Sequence, residues 1–152
     1  MTEAITSNDI KSFNNDGVVL LRGVFKDWIE VLRRGAEFHI NNPSESALIH
    51  KQDSYQGQFM EDFCSWQRIA EYKDFVLNSP LGSFAADLTG SKSIQFFHDH
   101  FFYKEASSGV VTPWHQDMPY YCVTGLQTVS FWMPLESREQ SVSLKCAAGS
   151  HS

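Results

Sequence analysis

Residues 112–121 read TPWHQDMPYY, and the rest of the chain is best interpreted from this stretch outward. At its centre, His115 and Asp117 place an imidazole and a carboxylate two residues apart. In an extended segment the side chains alternate between two faces, so these two groups would point to the same side. Together they could supply two ligands of a 2-His-1-carboxylate triad, which holds non-haem Fe(II) and leaves coordination positions open. Because such a triplet also occurs by chance, the prediction depends on the surrounding sequence.

The composition predicts one globular domain over residues 1–152. Hydrophobic residues make up 42% of the 152 positions and aromatic residues 14%, which is enough for a sizeable core. The net charge of −6 argues against a nucleic-acid partner, since such proteins usually carry a basic patch. No apolar run approaches the roughly 20 residues of a membrane span, and residues 1–5 lack the features of a secretory signal. We therefore expect a cytoplasmic location and no membrane partner.

The three cysteines argue against a cysteine-based zinc site. Cys64, Cys122 and Cys146 form no C-x-x-C pair. We expect them to be small, buried or half-buried thiols in a reducing compartment.

Secondary-structure signals predict helices in residues 1–90 and a β-core in residues 91–152. Four helices are predicted from capping residues and apolar spacing, at about 6–15, 25–40, 66–77 and 80–89. Five strands are predicted from β-branched and aromatic runs, at 18–22, 58–63, 93–104, 127–135 and 141–146. Helices followed by strands indicate an α+β fold. A jelly roll needs about eight strands, which is more than this sequence supplies.

Several segments together resemble the phytanoyl-CoA dioxygenase family of Fe(II)/2-oxoglutarate oxygenases. The similarity follows the family's order and covers nearly the whole chain. It rests on DGVVLLRGV (16–24), FHDHFFYKE (97–105), TPWHQD with PYY (112–121), VSFWMPL (129–135) and GSH (149–151).

This resemblance implies a fold, a reaction and a set of site residues. The implied fold is a double-stranded β-helix, a cupin-like jelly-roll core with N-terminal helices. The implied activity is hydroxylation of a small-molecule or acyl substrate with O₂, coupled to oxidative decarboxylation of 2-oxoglutarate to succinate and CO₂. His115 and Asp117 would be catalytic and would bind the metal, Fe(II). His100, Gln116 and Trp132 would border the co-substrate 2-oxoglutarate.

The resemblance also implies that the site is incomplete within residues 1–152. In the family, the third metal ligand is a distal His, and an Arg pairs with the far carboxylate of 2-oxoglutarate. Both lie well beyond the Gly-Ser-His turn, so we expect this chain to be the N-terminal portion of a longer domain with an unfinished β-core. His151 is expected to be a structural residue of that turn.

Two alternatives remain open from the sequence. His98, His100 and His115 could form a cupin-like His₃ site for Zn or Mn in a protein that is not an oxygenase. The chain could also be an inactive fragment. The sequence predicts neither the primary substrate nor the oligomeric state.

Overall fold

The computed structural model describes residues 4–51, 54, 56–125, 127–137 and 139–151. Within these residues the chain forms helices and one antiparallel sheet, which confirms the α+β class. The helices and strands, in chain order, are α1 (Ser7–Asp16), α2 (Ile29–Asn41), β1 (Leu48–His50), β2 (Phe59–Phe63), α3 (Ala70–Asn78), α4 (Leu81–Thr89) and β3 (His100–Lys104). Short 3₁₀ helices lie at Lys26–Trp28, Met118–Tyr120 and Gln140–Val142.

All four predicted helices are present, and local capping explains three of their ends. The backbone N–H of Thr6 donates to the Asp9 carboxylate (2.8 Å), and the Asp9 N–H donates to the Thr6 hydroxyl (3.2 Å), so α1 begins with a capping box. Gly17 ends α1 at φ 74° and Gly90 ends α4 at φ 64°, a left-handed conformation that glycine adopts without steric cost. No helix in the described part of the chain is both long and apolar enough to cross a membrane.

The sheet has the order β1-β2-β3, with both pairs antiparallel. The strand predicted at 58–63 is confirmed, whereas only the second half of the one predicted at 93–104 forms. The reason lies at Asp99, whose carbonyl accepts the N–H of Cys64 (3.0 Å). The Asp99 carboxylate accepts the N–H groups of Ser65 (3.2 Å) and Trp66 (3.0 Å). Asp99 therefore bonds to the turn that follows β2, and the residues before His100 do not extend β3.

Three predicted strands are wrong as local assignments. Residues 18–22 and 127–135 carry no strand, and residues 141–146 begin within a 3₁₀ helix. An apolar, β-branched run shows only that a segment would suit a sheet, because a strand also needs a partner for its backbone hydrogen bonds. Leu20 is 70% exposed and Trp132 is 50% exposed, so these segments are only partly covered. The larger β-core stays a prediction.

Backbone contacts divide the chain into two units. The first comprises Met1–Ile29, Ser79–Gln95 and Gln116–Ser152, and the second comprises Glu30–Asn78 and Phe96–His115. The predicted single domain would require these two units to assemble together, and it stays a prediction.

The first unit has its core around α4 and Phe25. The Phe25 ring packs against Phe84 (centroids 5.5 Å apart) and edge-on against Phe131 (5.9 Å), while Leu88 is buried. Residues 149–151 also pack on the end of α1: the N–H of Gly149 donates to the Asp16 carbonyl at 2.8 Å. The chain's GSH turn thus packs against the C-terminal end of α1.

The second unit packs α2 and α3 on one face of the sheet. Met60 of β2 and Ile69 and Phe75 on or beside α3 are each less than 5% exposed. Gly35 of α2 permits close helix packing, since a Cβ there would lie 2.7 Å from the Tyr72 ring. Because side chains alternate along β2, burying Met60 directs Phe59, Glu61 and Phe63 to the other face.

The cysteines differ from expectation. Cys64, Cys122 and Cys146 are all exposed, and none forms a disulfide. Cys64 directly follows β2 at φ 56°, where the chain turns away from the sheet. The three cysteines are exposed because they lie in loops, and the residue type alone does not predict that location.

Candidate active site

His115 is held by a hydrogen bond within its own segment. Its Nδ1 lies 2.8 Å from the carbonyl oxygen of Pro113. A carbonyl can only accept, so Nδ1 must carry the proton and donate it. In the neutral ring the lone pair then belongs to Nε2, and metal-binding histidines commonly show this pattern of one ring nitrogen donating to a backbone carbonyl. The side chain is exposed, as access of a metal or substrate requires.

Asp117 has a hydroxyl beside its carboxylate. It immediately precedes the 3₁₀ helix Met118–Tyr120, and this turn brings the Tyr121 hydroxyl to 3.3 Å from Asp117 Oδ2. The same hydroxyl lies 3.2 Å from the Ser130 hydroxyl. Burial raises the pKa of Tyr121, and the nearby Asp117 carboxylate raises it further, although the Ser130 hydrogen bond opposes the shift. Tyr121 therefore stays protonated and can donate to the carboxylate.

The premise that His115 and Asp117 belong to one extended strand is wrong. Residues 110–117 form no strand, and Asp117 has helical backbone angles (φ −73°, ψ −37°). Pro119 lies in the 3₁₀ helix that follows and favours this turn by its fixed φ. The boundary between the two units falls after His115, so His115 belongs to the second unit and Asp117 to the first.

Gln116 and Trp132 both belong to the first unit but occupy different environments. The Gln116 side-chain amide donates to the carbonyl of Ser150, which ties it to the GSH turn. Trp132 is half-exposed and lines an apolar cleft of about 160 Å³. The cleft is formed by residues 17–21 and 129–133 together with Phe13, Val24, Phe25 and Leu88. An indole at such a cleft can contact a small ligand, as the resemblance implies for Trp132.

His100 is on β3, in the second unit, where it has a carboxylate partner. Its Nε2 lies 3.1 Å from Glu61 Oε2, and the other oxygen of Glu61 lies 2.7 Å from Nε2 of His50. Neither Glu61 nor His50 was predicted as a site residue. The alternation of side chains along Phe59–Phe63 could have indicated that Glu61 points to the other face of the sheet from Met60. The pairing of Glu61 with two histidines, however, depends on the strand register.

The cupin-like alternative is not supported by the arrangement of its histidines. Among the described residues no three His, Cys, Asp or Glu side chains are grouped so that they could hold a metal. His98 packs edge-on against the ring of Phe97 (centroids 4.6 Å apart), and His100 contacts Glu61. His98, His100 and His115 therefore do not form the predicted His₃ set.

A second polar cluster is fully buried and was not predicted. His39 Nε2 lies 2.8 Å from Asp62 Oδ2, and the hydroxyl of Ser65 lies 3.3 Å from the same nitrogen. A Ser-His-Asp triad requires the serine and the aspartate on opposite ring nitrogens, so this cluster is not a triad. Burial alone would raise the pKa of Asp62. Hydrogen bonds from Ser44 and His39 outweigh it and lower the pKa to about 2. The cluster links α2, β2 and the turn that follows β2.

Comparison with known proteins supports one family. The family model described as Phytanoyl-CoA dioxygenase (PhyH) matches residues 13–152. A search of curated proteins and a search of solved structures each found no match. Members of the matched family are generally Fe(II)- and 2-oxoglutarate-dependent oxygenases, and the family implies a cupin-like fold. Since the match spans most of the sequence and includes the His115-Gln116-Asp117 motif, the chain belongs to the phytanoyl-CoA dioxygenase family.

Proposed function

We propose that this chain belongs to an Fe(II)- and 2-oxoglutarate-dependent dioxygenase that hydroxylates a small-molecule or acyl substrate. The reaction would convert 2-oxoglutarate and O₂ to succinate and CO₂. The family match over residues 13–152 carries the proposal. It includes the only segment in which this sequence places His and Asp in an H-x-D pattern.

In this proposal His115 and Asp117 are two of the metal's protein ligands, and the local chemistry of each suits that role. The hydrogen bond from His115 Nδ1 to Pro113 places the neutral ring's lone pair on Nε2. The Asp117 carboxylate accepts from Tyr121, which restricts its rotation. Fe(II) would supply the site that binds 2-oxoglutarate and activates O₂. The third protein ligand is not assigned to a residue of this chain.

The remaining site residues would bind and orient the co-substrate. His100 and Trp132 would each border 2-oxoglutarate, with the Trp132 indole providing an apolar wall. Gln116 would hold the metal segment against the GSH turn through its bond to Ser150. We also propose that the complete β-core is a double-stranded β-helix.

The experiment is a measurement of Fe(II) binding by the full-length gene product. Wild type is compared with His115→Ala and Asp117→Ala, and His98→Ala is the control that removes a nearby imidazole. We expect both ligand variants to lose most of the Fe(II) affinity and the control to retain it. Equal affinity in all four proteins would refute the assignment. Loss in His98→Ala and His115→Ala but not in Asp117→Ala would favour the His₃ site instead.

A further inference from the structure

Two buried polar atoms of the second unit have no hydrogen-bond partner among the residues that the structure describes. They are Nδ1 of His39 in α2 and the hydroxyl oxygen of Tyr72 in α3. The His39 side chain is 0% exposed and Tyr72 is 8% exposed. A buried polar group without a partner has lost its hydrogen bonds to water and gained none, so folded proteins rarely leave one unsatisfied.

The rings that carry these two atoms are neighbours. The ring centroids of His39 and Tyr72 are 5.7 Å apart, and the planes meet at 62°. Gly35 lies one turn before His39 on the same face of α2, and a Cβ at Gly35 would lie 2.7 Å from Cε1 of Tyr72, which is next to the carbon that carries the hydroxyl. The Tyr72 ring therefore lies along the face of α2 that carries His39. Phe101 stacks on His39 (centroids 4.4 Å apart) and lies 6.4 Å from Tyr72, so an apolar ring borders both.

The hydrogen-bonding capacities of the two atoms are complementary. His39 Nε2 lies 2.8 Å from the Asp62 carboxylate, which only accepts hydrogen bonds, so Nε2 carries the proton. In the neutral ring Nδ1 is then an acceptor. Burial raises the pKa of Tyr72, and the Asp99 carboxylate raises it further, although the Arg68 guanidinium opposes the shift. The Tyr72 hydroxyl therefore keeps its proton and can donate it.

We propose that one ordered water molecule lies between His39 and Tyr72, where it accepts a hydrogen bond from the Tyr72 hydroxyl and donates one to His39 Nδ1. A buried water needs at least about two polar partners, and these two atoms supply a donor and an acceptor. Because no direct hydrogen bond joins the two side chains, a bridging water satisfies both without moving either ring.

The water extends the buried polar cluster to a third element. The hydrogen bonds then run from Asp62 in β2 through His39 in α2 and the water to Tyr72 in α3. None of these residues is assigned to the proposed metal site, so the water site is independent of the proposed function.

The first measurement is a high-resolution crystal structure of the full-length protein. We expect one water oxygen at about 3 Å from both His39 Nδ1 and the Tyr72 hydroxyl oxygen. A direct hydrogen bond between the two side chains would overturn the proposal. So would a well-ordered site in which no water contacts both atoms.

The second measurement is urea unfolding of Tyr72→Phe, which deletes the hydroxyl and keeps the ring. If the hydroxyl binds the water, the variant loses that hydrogen bond, and we expect the equilibrium constant for unfolding to rise roughly two- to tenfold. If the hydroxyl is unsatisfied, deleting it leaves the constant unchanged or lowers it, and this result would overturn the proposal. Tyr103→Phe is the matched control, since Tyr103 lies on β3 of the same unit and is half-buried; we expect a change of less than about twofold.

The ¹⁵N NMR spectrum of His39 provides a readout that a general loss of packing would not imitate. We expect wild type to carry a proton on Nε2 and none on Nδ1. In Tyr72→Phe the water keeps only one partner, too few to hold it, so the Nδ1 resonance should move while Nε2 keeps its proton. Tyr103→Phe should leave both resonances in place. A wild-type His39 with a proton on Nδ1, or an Nδ1 resonance unchanged in Tyr72→Phe, would contradict the proposed water site.

Discussion

The Nε2 atom of His39 lies 2.8 Å from Oδ2 of Asp62, and neither side chain is accessible to solvent. The second oxygen of Asp62 accepts the Ser44 hydroxyl at 2.6 Å and the backbone N–H of Phe63 at 2.9 Å. The carboxylate therefore joins α2, the loop that follows it and β2. Because a buried charge is tolerated only when it is hydrogen-bonded, this pair should be central to the stability of the second unit.

Replacing Asp62 by Asn should destabilise the protein by about 3–5 kcal/mol, the usual cost of removing one partner of a buried pair. The asparagine side chain has nearly the same volume as the aspartate side chain. Its NH₂ group, however, would face His39 or Ser44, which also donate hydrogen bonds at this position. Urea unfolding monitored by circular dichroism measures the change. Asp74→Asn is the control, since Asp74 accepts an exposed hydrogen bond from Asn78 within α3; we expect a change within about 0.5 kcal/mol. Similar losses for the two variants would contradict the role given to Asp62.

The stability of the protein should depend on pH through Asp62. Its pKa is about 2 in the folded state and 3.8 in its ordinary state, so folding favours the ionised form. The stabilisation is therefore fully present above pH 3.8 and is lost as the pH falls toward 2. We expect the difference in unfolding free energy between wild type and Asp62→Asn to shrink across this interval. A constant difference from pH 5 to pH 2.5 would contradict this pKa.

Two glycine substitutions should have opposite effects. Gly17 has φ 74°, and a Cβ there would lie 2.7 Å from the Cβ of His151, so Gly17→Ala should cost about 1–2 kcal/mol or more. Gly82 lies in α4, and among the described residues an added Cβ would meet no atom within 4 Å apart from its chain neighbours and the backbone of its own helix. Gly82→Ala should therefore stabilise the protein by about 0.5–1 kcal/mol. Melting temperatures of both variants test the pair, and a stabilising Gly17→Ala would exclude the described packing of the GSH turn.

Removing the hydroxyl of Tyr121 should weaken the proposed metal site without unfolding the protein. Tyr121→Phe deletes the donor 3.3 Å from Asp117 Oδ2, so the carboxylate gains rotational freedom. We expect the Fe(II) affinity to fall by about tenfold, as is typical when a partner of a ligand is lost. Tyr120→Phe is the control because Tyr120 is 79% exposed. An unchanged affinity in Tyr121→Phe would show that this hydroxyl does not position Asp117.

Local signals in the sequence were sufficient for the helices. Thr6 and Asp9 form the capping box, and Gly17 and Gly90 provide the left-handed ends, all within a few residues of the helices that they limit. Strands were less predictable, because residues 18–22 and 127–135 have the composition of strands without the ladder partners that define them. Hydrogen bonding of Asp99 to the turn after β2 likewise shortened β3.

Local sequence signals were likewise insufficient to predict all of the contacts around the candidate site. The H-x-D pattern and the family resemblance predict His115 and Asp117 as site residues, and this assignment stays a prediction. The sharing of Glu61 by His50 and His100 arises from the register of three strands. Glu61 lies 11 residues after His50 and 39 residues before His100, and no local pattern encodes these pairings. The His39–Asp62 pair is separated by 23 residues and depends on the packing of α2 against β2. Contacts between distant segments were therefore the part that sequence reasoning missed.

The most direct test of the proposed function is binding of 2-oxoglutarate to the Fe(II)-loaded full-length protein under anaerobic conditions, followed by admission of O₂. We expect saturable binding that requires Fe(II), and formation of succinate once O₂ is present. Both should be lost in His115→Ala and retained in His98→Ala. Fe(II)-loaded wild type that binds no 2-oxoglutarate and forms no succinate would contradict the assignment of this chain to a 2-oxoglutarate-dependent oxygenase.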